Sequence, residues 1–372
     1  MDTSSQISSQ NNAVKKVFDY PQRGFIFDRN GELLVSNQPS YDVMVIPKNI
    51  DSFSSELKKE FCELLKITEE KYDNILKRAK IYSPRLPSVV VSQFTKDEYA
   101  YLSEKMWKYK GFYIQKRSLR EYQVSNSANV FGYIAEVNKT IIDKNSYYQM
   151  GDLIGKAGVE MEYENILRGK KGVKHLQMDR FNREIGSYQE GVFDTIPING
   201  KDITLTIDSR LQEYGEKLLT NKRGGIVALE PSTGEILALI SAPNYDPKLL
   251  VGRDRSKNFT KLWYDTISRP LFDRVLQGEY PPGSPFKTLT ALIGMQEKVV
   301  HKDEKLICQG SYNYGGKKNL GCHLHKTPLN MSEGLANSCN TYFCKIYKRT
   351  LEKFSTPQEG IDNWKRHLMS FG

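Results

Sequence analysis

The segment from Glu279 to Leu289, "EYPPGSPFKTL", sets Ser284 behind two prolines and a glycine, with Lys287 three residues later. On a helix, residues three apart share a face, so the hydroxyl and the amine come within reach of each other. A serine hydroxyl is a weak nucleophile at neutral pH, and a desolvated, neutral lysine amine can take its proton. A helix N-terminus favours the negative charge that develops beside such a serine. The chemistry indicated is acyl transfer through a serine ester. The S-x-x-K pattern alone is common. A second copy, Ser55 to Lys58, falls on the polar face of an expected helix. The Pro-Pro-Gly approach sets Ser284 apart, because it restricts the backbone and lets a ligand come close.

A second element, "NSCNTYF", brings Ser338 and Asn340. The S-x-N pattern also begins at Ser9, Ser127, Ser256 and Ser311. Only the Ser338 copy opens an amphipathic stretch downstream of a candidate nucleophile; its ordinary alternative is a helix-capping loop. Between the two elements, Cys308, Cys322, His323 and His325 crowd into "CQGSYNYGGKKNLGCHLH". Thiolates and imidazoles suit zinc. The Cys-to-Cys gap is not a standard ligand spacing, so a disulfide across a loop, or unlinked cysteines on a hairpin, are expected ahead of a metal. No cofactor is expected. Cys339 reads as a small buried residue. With five cysteines, at least one stays unpaired in a monomer.

Several elements must position these residues. "RGFIFDRNGELLVSN" predicts two short strands around Asn30-Gly31, a dipeptide suited to a tight turn, and "SYDVMVIP" predicts a further strand. From Ile50 to Lys110 the texture is helical, in "SSELKKEFCELLKI" and "TKDEYAYLSEKMWKY", with a short strand in "SPRLPSVVVSQF". "GKAGVEMEYENILRGKKGVKHLQMD" predicts a glycine-bounded helix and then a strand. "KDITLTI" predicts a strand, followed by a helix capped by Asp208. "GGIVALE", "PSTG" and "EILALIS" predict strand, turn and strand. The class is α+β: a β-rich N-terminal module with a helical insertion, then a second domain from about Lys201.

The 372 residues suffice for two or three domains. No apolar run is long enough to span a bilayer, and no signal peptide is visible. The net charge of +10 fits a generally lysine-rich proteome or, more specifically, an anionic polymer or an anionic membrane surface. The cations are scattered and no nucleic-acid-binding signature stands out, so nucleic acid is not an expected partner.

"YPPGSPFK" followed by "NSCNTYF" resembles the penicillin-binding serine acyltransferases, whose signatures are S-x-x-K, S-x-N and K-T-G. "GGIVALEPSTGEILALISAPNYDP" is similar to the strand pair leading into their site. "RGFIFDRNGELLVSN" and "GKAGVEMEYENILRGKKG" are similar to parts of the N-terminal module of the class B enzymes, most closely the elongation type. The resemblance covers Arg23 to Gly372.

The resemblance implies a flexible linker over 1–20, a pedestal (dimerisation-type) module over 21–49 and 146–200, and an inserted helical head over 50–145. It implies a partial α/β/α transpeptidase domain over 201–372. It further implies that Ser284 attacks the D-Ala-D-Ala end of a peptidoglycan stem peptide and that Lys287 acts as general base. Ser338 relays a proton, and Asn340 binds substrate and Lys287. β-Lactams acylate the same serine, and a membrane glycosyltransferase docks on the head. The family faces the periplasm on a single inner-membrane anchor. The sequence departs from the pattern in holding no K-[ST]-G; the nearest string, "HKTPLN" at 325–330, has proline for glycine and precedes the S-x-N element. Truncation of the third motif and of the anchor is therefore expected, with weak or no acylation by the chain as given. The alternatives are a non-catalytic scaffold or β-lactam sensor, and less readily a serine β-lactamase, which needs no pedestal.

Overall fold

The structure is a computed structural model that describes residues 14–51, 53–178, 184–315 and 319–371. The chain forms two compact units, Met1–Gly278 and Glu279–Gly372.

In the first unit, β1 (Val14–Asp19), β8 (Gly172–Met178) and β9 (Glu184–Ser187) make an antiparallel sheet. A second sheet has the order β10 (Ile203–Thr204), β2 (Ile26–Phe27), β3 (Leu33–Val45) and β4 (Ser88–Phe94), and β5 (Phe112–Tyr122) also pairs with β3. The small β6 (Ile134–Glu136) pairs with β7 (Leu153–Gly155). Three helices follow β3 and flank β4: α1 (Ser55–Leu65), α2 (Glu69–Tyr82) and α3 (Lys96–Ser103). Each is started by a hydroxyl that accepts a backbone N–H: Ser54 from Leu57, Thr68 from Lys71 and Thr95 from Glu98. Their apolar faces close over Phe61, Tyr109 and Phe112, whose rings meet at 4.2 and 4.7 Å from Phe61.

Two polar devices hold this unit together. Asp28 is fully buried, and its carboxylate accepts from the N–H groups of Asn30 and Glu32, shaping the turn where Gly31 takes φ +81°. The same carboxylate accepts from the Ser209 N–H and hydroxyl, at 3.2 and 2.9 Å. It thereby ties the hairpin to α4 (Ser209–Leu218), which Asp208 caps as expected. Deeper, the Glu160 carboxylate takes Arg120 Nε and Arg23 Nε, both at 2.6 Å, and Arg23 also reaches Glu164. Burial works against the Arg120 charge and holds it below the usual arginine range, and the Glu160 carboxylate offsets only part of this. The strand pair β11 (Gly224–Leu229) and β12 (Ile236–Ala242) forms as expected, and α5 (Arg255–Tyr264) comes after it.

Four expectations change. Residues 1–13 of the expected linker lie outside the described residues, but Val14–Asp19 is a strand rather than linker, because β8 supplies a ladder for it. The two strands expected over 33–47 are one strand through Pro39. Proline lacks an N–H, yet it sits between the stretches of β3 that pair with β2 and with β4. The 50–145 insertion is mixed, since it contributes β4 and β5 to the main sheet. Finally, β10, in the stretch expected to open the second domain, pairs in parallel with β2 of the N-terminal module.

The second unit carries α6 (Phe286–Gln296), the hairpin strands β13 (Ser311–Asn313) and β14 (Asn319–Gly321), α7 (Met331–Ala336), α8 (Asn340–Glu352) and α9 (Pro357–Met369). Its core joins Ala291 of α6 to Tyr342, Phe343 and Ile346 of α8, with Leu306 and Met331 beneath. Gly294 lets α6 and α8 approach closely: a Cβ there would lie 2.4 Å from Ile346 Cγ2.

Candidate active site

Ser284 is exposed at the turn into α6, where Gly283 adopts φ +62°. The Lys287 N–H donates to the Ser284 carbonyl at 3.0 Å, which starts the helix and turns both side chains to one face. Lys287 Nζ lies 3.3 Å from Ser284 Oγ.

Ser338 comes from the loop between α7 and α8. Its φ of +49° is a left-handed conformation that a residue with a Cβ rarely adopts. Two flanking hydrogen bonds hold it there, Ser338 N–H to the Leu335 carbonyl and Cys339 N–H to the Gly334 carbonyl. In that pose Ser338 meets Lys287 twice, accepting at its carbonyl (2.7 Å) and at its hydroxyl (2.8 Å). The Ser338 hydroxyl donates to Ser284 Oγ at 2.8 Å. The three residues close a hydrogen-bonded triangle. Burial holds the Lys287 amine below the usual lysine range, against an opposing pull from Cys322, Cys339 and Cys344. The arrangement can pass a proton between the two hydroxyls and the amine.

Asn340 stands at the first turn of α8, but it is not joined to Lys287. Its Nδ2 donates to the Gly321 carbonyl of β14 at 2.6 Å. Among the described residues the Asn340 amide meets the hairpin rather than Lys287, whose Nζ lies within 3.3 Å of Ser284 Oγ and of the Ser338 carbonyl and hydroxyl.

Behind the triangle lies a thiol cluster. The ligand atoms of Cys308, Cys322, His325 and Cys339 all lie within 4.8 Å of one another. The structure thus gathers three of the four residues singled out in the sequence, leaves His323 exposed and apart, and adds Cys339. Hydrogen bonding at His325 has a defined sense: Nδ1 faces the Lys326 carbonyl at 2.7 Å and must donate to it. Its Nε2 is then a lone-pair acceptor, buried and without a partner among the described residues. Three thiols and an imidazole so arranged suit a tetrahedral zinc ion. The five cysteines are free thiols. Burial raises both the Cys322 and Cys339 thiols; hydrogen bonds with Thr341, and after it with Cys308 and Cys339, outweigh burial at Cys322 and leave it lowered, whereas Cys339 stays raised.

A β-rich module followed by a helical unit that gathers S-x-x-K and S-x-N at one surface is the architecture of an active-site-serine penicillin-binding protein. Comparison with known proteins agrees. The penicillin-binding protein dimerisation domain matches residues 18–205, and the penicillin-binding protein transpeptidase domain matches 224–372. The chain belongs to the penicillin-binding protein family. It is 31% identical to the peptidoglycan D,D-transpeptidase MrdA of Acinetobacter baumannii over 95% of this chain and 51% of that protein. It is 29% identical to MrdA of Escherichia coli K12, over 95% and 57% respectively. Among solved structures, PBP2 of Helicobacter pylori in complex with MreC superposes with a TM-score of 0.76 at 25% identity, over 95% of this chain and 65% of that one. The chain spans about half the length of the curated relatives it matches.

Proposed function

We propose that the protein is a peptidoglycan D,D-transpeptidase of the elongation type, with Ser284 as nucleophile. The triangle of Ser284, Lys287 and Ser338 carries this reading. Ser284 Oγ attacks the penultimate D-Ala carbonyl of a stem peptide. Its proton moves to Lys287, directly or through the Ser338 hydroxyl. The Ser284 N–H is bonded to no carbonyl among the described residues, so it is free to stabilise the oxyanion. The proton then passes by way of Ser338 to the leaving D-Ala nitrogen as the peptide C–N bond breaks. An amine of a neighbouring stem attacks the resulting ester, forms the crosslink and releases Ser284. A β-lactam enters by the same attack, its ring amide taking the place of the scissile bond, and stays as the acyl-enzyme.

The MrdA relatives are named for this activity, and likeness to them supports an inner-membrane protein facing the periplasm. No helix among the described residues is long and apolar enough to cross a membrane. The 50–145 head, with Trp107 and Ile81 largely exposed, is the proposed docking element for a membrane glycosyltransferase. The Helicobacter pylori relative was solved in complex with MreC, which supports an MreC-like protein as a further partner.

A second reading concerns the thiol cluster. The orphaned Nε2 of His325 among three thiols favours a structural zinc ion held by Cys308, Cys322, Cys339 and His325. Elemental analysis of the purified protein tests it, with about one zinc per chain expected and its absence contradicting the assignment.

Crosslinking of a stem-pentapeptide substrate, followed by chromatography, tests the main reading. Release of D-Ala coupled to dimer formation, lost in Ser284→Ala, is expected. Stoichiometric hydrolysis of β-lactam without dimer formation would instead favour a β-lactamase.

A further inference from the structure

Asn340 is held from the hairpin, not from the catalytic lysine. A carbonyl oxygen only accepts, so the NH2 of the Asn340 side chain must face Gly321, and the planar amide then has its Oδ1 direction fixed. What holds Gly321 in place is the next residue. The Cys322 N–H donates to the Gly310 carbonyl at 2.8 Å, closing the base of the hairpin. The Cys322 sulfur then meets α8: it accepts from the Thr341 N–H at 3.3 Å and contacts Thr341 Oγ1 at 3.2 Å. Thr341 directly follows Asn340 and is buried. Two consecutive residues of β14 and its exit therefore grip two consecutive residues at the start of α8.

We propose that Thr341 and Cys322 form a clamp that positions Asn340, and with it the Ser338 loop, for the acylation of Ser284. This rests on the transpeptidase reading above and adds positioning residues to it. Both are positioning residues, since neither touches the hydroxyls or the amine of the triangle. The clamp shares Cys322 with the zinc assignment, but Thr341 is not one of the four clustered ligands, so Thr341 variants test the clamp with those ligands intact.

The test is the acylation of the full-length protein by a fluorescent penicillin, with the binding constant and the acylation rate constant resolved. Thr341→Val removes the hydroxyl and keeps the volume and all four clustered ligands. It is expected to lower the acylation rate constant on the order of tenfold, as small misplacements of catalytic groups do, with little change in binding constant and with wild-type zinc content. Thr341→Ser, which keeps the hydroxyl, is expected to restore most of the rate. A wild-type rate in Thr341→Val overturns the clamp. So does an equal loss in the Val and Ser variants that follows their melting temperatures, because that loss would be structural. A slow Cys308→Ser variant beside a normal Thr341→Val variant would also overturn it, assigning the positioning to the thiol cluster alone. Failure of the transpeptidase reading is visible separately, as an unlabelled wild type or a labelled Ser284→Ala.

Discussion

Lys287 Nζ lies 2.8 Å from the hydroxyl of Ser338, closer than its 3.3 Å approach to the hydroxyl of Ser284. The lysine is thus engaged first by the second motif, and Ser338 bridges it to Ser284, the proposed nucleophile, through its own 2.8 Å bond. Removing Ser338 should break the better of the two proton routes. Ser338→Ala is expected to slow acylation by a fluorescent penicillin about 10²-fold or more, the scale of a lost acid–base partner. A rate within a factor of two of wild type would leave Lys287 acting on Ser284 directly.

The pH dependence follows from the burial of Lys287. In the proposed mechanism the neutral amine is the competent base, so the acylation rate should rise with pH as the ammonium deprotonates. Burial favours the neutral form, so the midpoint should fall below the ordinary lysine value of about 10.4. A rate–pH profile measures it directly. Lys287→Arg, which stays charged throughout, should abolish the rise along with the activity.

The two helices that carry the site are kept together by the absence of a side chain. Gly294→Ala would drive a Cβ against Ile346 Cγ2 at 2.4 Å and Val300 Cγ1 at 3.1 Å. Ile346 is fully buried and has little room to yield. A loss of about 1–3 kcal/mol in denaturant unfolding is expected, with a slower acylation because α6 and α8 carry Lys287 and Asn340.

Much of this candidate site is legible in the sequence. Ser284 and Lys287 were readable because their spacing and the Pro-Pro-Gly approach act locally. Asp208 as a cap and the strand pair 224–242 were readable for the same reason. Long-range facts were not. The thiol cluster draws on the segments around Cys308, around Cys322 and His325, and on the S-x-N loop, so no single spacing announces it. Cys339 reads from the sequence as a small buried residue, and it is buried, but no spacing joins it to Cys308 and Cys322. Asn340 was paired with Lys287 by resemblance, because the competing acceptor, the Gly321 carbonyl, is a backbone atom with no sequence signature. The strand β5 was hidden by the alternating charges of "QKRSLREY", which become intelligible only once Arg120 is seen buried on Glu160.

That buried pair gives a stability prediction for the first unit. Arg120 and Glu160 are fully buried, and Glu160 serves Arg23 as well. Glu160→Gln would leave two guanidinium groups undercompensated. A loss of about 3–5 kcal/mol is expected by urea denaturation, the scale for breaking a buried ion pair from one side.

Acid stability of the second unit should depend on Glu297. Hydrogen bonds from Lys353, His367 and Asn363 hold its carboxyl down to about 2, from an ordinary value near 4.5. A carboxyl whose folded pKa is depressed stabilises the fold fully above its unfolded pKa. That contribution fades as the pH falls from about 4.5 towards 2. Glu297→Gln should therefore lower the melting temperature at pH 7, and the gap to wild type should narrow at pH 3.

The most direct test of the account is the intact mass of the full-length protein after incubation with benzylpenicillin, followed by peptide mapping. The account expects one penicilloyl adduct per chain, located on Ser284 and absent from Ser284→Ala. An adduct on any other residue, or none on a folded protein, would contradict it.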